Sequence, residues 1–108
     1  MMTEMQIIPD VQTPEERAAL AGAWLRHERQ TGFDVGQEKF AIMIREEYSK
    51  LTGTEADGPA ANTIARWERG KLRAGIQYMS AIANVIGREV KLVVQILHRH
   101  EIEFIPED

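Results

Sequence analysis

Asn62 to Arg73 reads N-T-I-A-R-W-E-R-G-K-L-R, and no other stretch constrains the fold of this chain as tightly. It sets four cations, Arg66, Arg69, Lys71 and Arg73, against one anion, Glu68. It also carries two large apolar residues three apart, Ile64 and Trp67. On a helix, positions i and i+3 share a face, so these two enter a core while Thr63, Arg66 and Arg69 point away from it. Gly70 is a natural stop, because glycine tolerates the left-handed conformation just past a helix end. The stretch therefore predicts a short helix with one buried face and one basic face. Such a helix is a candidate reader of a nucleic-acid groove. The alternative is a solvated charged surface, which charge alone favours.

The remaining elements follow from local signals. Met5 to Pro9 is a short apolar piece that suits an edge strand ended by Pro9. Thr13-Pro14-Glu15-Glu16 is a helix start, with Thr13 as N-cap, Pro14 at the first helical position and Glu16 at the capping-box spacing. That helix runs to about Gln30, with Leu20, Ala21, Trp24 and Leu25 as its apolar stripe and Thr31-Gly32 at its end. Asp34 to Gly36 opens a second helix, whose inner face is Phe40, Ala41, Ile44, Tyr48 and Leu51. Residues 52–58 read as a loop. Pro59 starts the third helix, capped by Asp57 or Gly58. Ile76, Met79, Ile82, Ala83 and Ile86 describe a fourth, ended by Gly87. The tail supports two readings. Val90, Leu92, Val94 and Ile96 alternate as in a strand, whereas Val90, Val93, Val94 and Leu97 suit a helix. The β-branched density and the later alternation of Ile102 and Phe104 favour a strand or hairpin.

The chain has 108 residues, enough for one modest core. It lacks cysteine, which removes disulfides and thiol chemistry and fits a reducing cytoplasm. No apolar run approaches the roughly 20 residues of a membrane helix. Met1 to Asp10 holds no base, so it is not a secretory signal. The net charge of −4 argues against a nucleic-acid partner until its distribution is considered. Glu4, Asp10, Glu15 and Glu16 make the first 16 residues acidic, and Glu101, Glu103, Glu107 and Asp108 do the same for residues 101–108. Residues 17–100 hold all 13 bases against nine acids, a net +4, of which residues 62–73 supply +3. Local potential steers a polyanion more than net charge does. His98 and His100 have no third metal ligand near them in sequence, and no Ser-His-Asp set or Gly-rich phosphate loop occurs, so neither a metal, a cofactor nor an enzyme is expected.

Residues 17–88 resemble the Xre-type helix-turn-helix family of phage repressors and Cro proteins. The resemblance rests on Ile64-Ala65-Arg66-Trp67-Glu68-Arg69-Gly70, where the family has Ile-Ser-x-Trp-Glu-x-Gly. It rests also on Gln37-Glu38-Lys39-Phe40-Ala41, similar to the family's Gln-x-x-Leu-Ala at the start of helix two. The chain departs from the pattern where the family has a short turn between helices two and three. Here a longer second helix and a loop at 52–58 intervene.

The resemblance implies a mostly α fold, a four- to five-helix repressor-like helix-turn-helix domain at 16–88. The residues outside it read as an N-terminal segment at 1–15, which suits a short strand, and a β-prone tail at 89–108 whose apolar, strand-prone residues make it the candidate dimerisation contact. The resemblance also implies that the third helix lies in the major groove of double-stranded DNA. Ala61, Asn62, Thr63 and Arg66 then face bases, and Gln37, Arg69, Lys71 and Arg73 hold phosphates. Asn pairs with adenine and Arg with guanine, each worth about 1–3 kcal/mol of discrimination. The family's Glu at position 68 pairs with a helix-one Arg, here Arg29 or Arg26. The function implied is a cytoplasmic, homodimeric transcriptional regulator, most simply a repressor on a pseudo-palindromic operator. Two alternatives keep the fold: an antitoxin that binds a toxin and regulates its own operon, and a protein-binding antiactivator.

Overall fold

The computed structural model describes residues 13–53, 55 and 58–101, together with the backbone of 4–6 and 104–106. The chain is mostly helical. α1 (Pro14–Gly32) starts as the local signals dictate, with Pro14 in its first turn. The Thr13 hydroxyl accepts from the Glu16 amide at 3.1 Å, and the Glu16 carboxylate accepts from the Thr13 amide at 2.8 Å. This reciprocal box satisfies donors that a bare helix end leaves open. α2 (Gln37–Thr52) stops at Gly53 in the left-handed conformation. α3 (Ala61–Glu68) is capped by Ala60, so it starts two residues later than expected from Pro59. A side chain at Gly58 would come within 2.9 Å of the Arg45 backbone, so the loop touches α2 at this point, and Pro59 is buried just before the helix begins. Asp57, the other cap expected, lies outside the described residues, as do Pro9 and Ile102.

After a turn at 69–75, a 3-10 turn (Ile76–Tyr78) leads into α4 (Met79–Ile86), which ends at left-handed Gly87. α5 (Val90–Val93) runs without a break into a π-helical turn, Val94–His98. The tail is thus helical from 90 to 98, and the strand preferred there is overturned. Val93, Ile96 and Leu97 are buried, and positions i, i+3 and i+4 coincide on one side only if the backbone is helical. Burial of that face outweighs the weak β preference of the branched residues. Among the described residues, strand pairing is a three-residue antiparallel ladder between Glu4–Gln6 and Phe104–Pro106, with Met5 opposite Ile105.

One core joins the helices. Leu25, Phe40, Ile44, Ile64, Met79, Ile82 and Val93 are its largest fully buried side chains. α3 packs on both α1 and α2, and α4 on α2. A chain of tilted rings ties these contacts together: Tyr48 of α2 lies 5.1 Å from Tyr78, and Tyr78 lies 5.8 Å from Trp67 of α3. Two residues expected on inner faces are outside the core, Leu51 at 50% exposure and Ile76 at 55%. Leu51 lies in the last turn of α2, and Ile76 in the 3-10 turn ahead of α4, whose different winding removes it from the α4 face. Among the described residues, no helix is long and apolar enough to cross a membrane.

Candidate nucleic-acid interface

The stretch 62–73 divides as its spacing dictates. Ile64 is fully buried, and Trp67 and Glu68 nearly so. Asn62, Arg66 and Arg69 are exposed, while Ala61 and Thr63 are half-buried at the start of α3. Asn62, Arg66 and Arg69 fall at i, i+4 and i+7 and so line one side. Asn62 is the second residue of the helix and Ala60 is its cap, so Asn62 is not consumed by capping. Lys71 and Arg73 are exposed on the turn that follows. The structure therefore brings Ala61, Asn62, Thr63, Arg66, Arg69, Lys71 and Arg73 onto one helix and its exit.

The orientation of α3 depends on a charged contact inside the protein. Arg29 donates from Nε to Glu68 Oε2 at 2.7 Å and from Nη2 to Glu68 Oε1 at 2.9 Å, a two-pronged pair. The Arg29 side chain is 8% exposed and that of Glu68 2%. A third guanidinium donor, Nη1, reaches the Val35 carbonyl at 2.7 Å. These bonds to Glu68 hold the Arg29 guanidinium above its ordinary range, in spite of the opposing effect of burial. Arg29, and not the exposed Arg26, is thus the partner of Glu68. Glu68 presents no charge to the basic side of α3, and its role is to fix the end of α3 to α1.

Two of the expected phosphate contacts have other bonds as well. The Gln37 amide donates to Glu68 Oε1 at 2.9 Å, joining the start of α2 to the same pair. Arg73 donates from Nη1 to the carbonyl of His98, so the turn after α3 is tied to the π-helical turn after α5. Sequence reasoning missed both, and also the pair between Glu28 on α1 and Arg88, with bonds of 2.8 and 3.1 Å. Only the charge types hinted at these, because the partners lie 25 to 60 residues apart and no local pattern links them.

Two glycines let the backbones approach. A Cβ on Gly22 would stand 2.6 Å from the Glu68 carbonyl carbon. One on Gly70 would stand 2.7 Å from the Ala18 carbonyl carbon, and Gly70 has a φ of 71° besides. The exit of α3 therefore lies directly against α1, which fixes where Arg69, Lys71 and Arg73 emerge. In comparisons with protein-family models, curated proteins and solved structures, the chain matches none.

Proposed function

We propose that the protein is a sequence-specific DNA-binding regulator of the repressor type, with α3 as the recognition helix of a helix-turn-helix and a second copy completing the contact. One observation carries the reading. α3 buries Ile64, Trp67 and Glu68 on one side and leaves Asn62, Arg66 and Arg69 exposed on the other, with Lys71 and Arg73 exposed just beyond. Asn62 and Arg66 are exposed and are residue types that pair with base edges. Arg69, Lys71 and Arg73 supply charge for phosphates, which positions the helix without reading sequence. Gln37 keeps a second amide hydrogen for a phosphate at the start of α2 while its first holds Glu68.

The test is binding to duplexes selected from a random pool and read by gel shift. Arg66→Ala is expected to weaken binding to the selected site by about 1–3 kcal/mol and to relax the preference at one base position. Arg69→Ala is expected to weaken all duplexes alike and to lower the salt slope by about one. A folded protein that enriches no duplex would refute the reading.

A lone domain of this size touches few base pairs, so affinity calls for a two-fold pair. Val90 and Leu92, 45% and 38% exposed on α5, are the apolar surface proposed for that contact. The other side of α5 carries core residues, so removing residues 89–108 damages the fold as well as the pairing. Val90→Asp with Leu92→Asp is the cleaner probe. Light scattering at micromolar concentration is expected to give a dimer for the native chain and a monomer for this variant. A native monomer argues against the second copy.

A further inference from the structure

Two strands, one from each end of the chain, leave backbone groups open in a way that their register specifies. β1 (Glu4–Gln6) and β2 (Phe104–Pro106) pair antiparallel, with Glu4 opposite Pro106, Met5 opposite Ile105 and Gln6 opposite Phe104. Opposite residues in such a ladder alternate between pairs that exchange both N–H···O bonds and pairs that exchange neither. Pro106 has no N–H, so Glu4 and Pro106 are not an exchanging pair, and Met5 and Ile105 are one. The backbone groups of Glu4, Gln6, Phe104 and Pro106 therefore point away from the ladder. Among the described residues, no third strand pairs with either side. The outer edge of β1 presents two donors and two acceptors, whereas that of β2 lacks the donor at Pro106. A two-stranded ladder alone is marginally stable in water, and a further strand supports it. An unpaired edge of this kind is a template for another extended segment.

We propose that the outer edge of β1 takes an extended, basic peptide segment of another protein, which adds as a third strand. Charge selects the occupant. The ladder joins the two acidic ends of the chain. Residues 1–10 hold Glu4 and Asp10, residues 101–108 hold Glu101, Glu103, Glu107 and Asp108, and neither segment holds a base. Arg99, 3.7 Å from Glu101, offsets one of these acids. Such a local field repels a nucleic-acid backbone and a second copy of the same acidic ends, and it attracts Lys and Arg. Main-chain hydrogen bonds supply affinity without regard to side chains, and the acids add the preference for a basic strand. This edge carries no residue assigned to DNA contact, so strand addition does not depend on DNA binding at α3.

The test follows amide hydrogen exchange in NMR spectra of the native chain with a synthetic peptide of alternating Lys and Val. The peptide is expected to slow exchange of the Glu4 and Gln6 amides about tenfold or more. Its binding is expected to weaken about tenfold or more when salt rises from about 0.1 to about 1 M. The same peptide N-methylated at every residue keeps its charge and loses its donors, and is expected to bind about tenfold more weakly, the worth of two hydrogen bonds. Gln6→Pro removes one edge donor and no ladder bond, so it is expected to lower affinity about threefold with the far-UV spectrum unchanged. Gln6→Ala, which keeps the donor, is expected to bind as the native chain does.

Unslowed exchange at both amides overturns the proposal. Equal affinity for the N-methylated peptide does so as well, because it reduces the attraction to charge alone. Protection that needs no peptide and grows with protein concentration would assign the edge to a second copy and overturn it too. None of these outcomes bears on duplex binding, so failure here is separable from failure of the proposed DNA reading.

Discussion

Replacing Arg29 by Met is expected to destabilise the protein by about 3–5 kcal/mol, measured by urea unfolding at neutral pH. The reason lies in what remains. The Glu68 side chain is 2% exposed and draws two of its hydrogen bonds from Arg29. With Arg29 gone, a buried carboxylate keeps only the Gln37 amide at 2.9 Å, which cannot balance its charge. The Val35 carbonyl also loses its donor. An intact buried pair contributes little net stability, because desolvation offsets the attraction, so removing both charges costs less than removing one. The double change Arg29→Met with Glu68→Met should thus be less destabilising than Arg29→Met alone. The two losses must then depart from additivity by about 1–3 kcal/mol. Simple additivity, or a loss under about 1 kcal/mol for Arg29→Met, would place the connection between α1 and α3 elsewhere.

Gly22→Ala carries the second large effect, and here the sign is informative. In a free helix this change stabilises by about 1 kcal/mol, since Ala is the better helix former. In α1 the new methyl would meet the Trp67 and Glu68 carbonyls and stand 2.6 Å from the Glu68 carbonyl carbon. Those atoms are backbone and cannot turn aside, so α1 and the end of α3 must separate. Overpacking of this kind costs about 1–3 kcal/mol, and the separation also stretches the Arg29–Glu68 contact, so a net loss of about 2 kcal/mol or more is expected. Gly32→Ala, in the same helix with nothing within 4 Å of its Cβ, should be neutral or slightly stabilising. Thermal unfolding of the two variants side by side distinguishes close approach from helix propensity. A Gly22→Ala protein as stable as Gly32→Ala would mean that the two backbones do not meet.

The second variant also bears on the proposed interface. Arg69, Lys71 and Arg73 leave the end of α3 where Gly22 and Gly70 bring it against α1. A shift there moves all three cations relative to Asn62 and Arg66. Loss of duplex affinity in Gly22→Ala, at a temperature where it is folded, would be an effect of placement, since no contacting side chain is altered.

Elements governed by neighbours in sequence are legible in the sequence. The capping box at Thr13 and Glu16, the glycine stops at 70 and 87, and the burial of Ile64 and Trp67 each depend on residues one to four positions apart. The pairing of Glu68 with Arg29 was legible only through the resemblance, since 39 residues separate the partners. The tail is not legible locally because its pattern carries both periods. Val90 to Leu97 alternates and also repeats helically, and chain propensity separates the two by little.

The sequence by itself determined the start of α1, the glycine stops after α3 and α4, and which side of α3 is apolar and which is basic. These follow from backbone geometry and the 3.6-residue period, which act within a few residues. Only the tertiary structure decided that residues 90–98 are helical and that Gln37 and Arg73 bind within the protein. Those outcomes depend on burying apolar surface and pairing buried charge across distant segments. Both are properties of the packed chain, and no local run of residues encodes them.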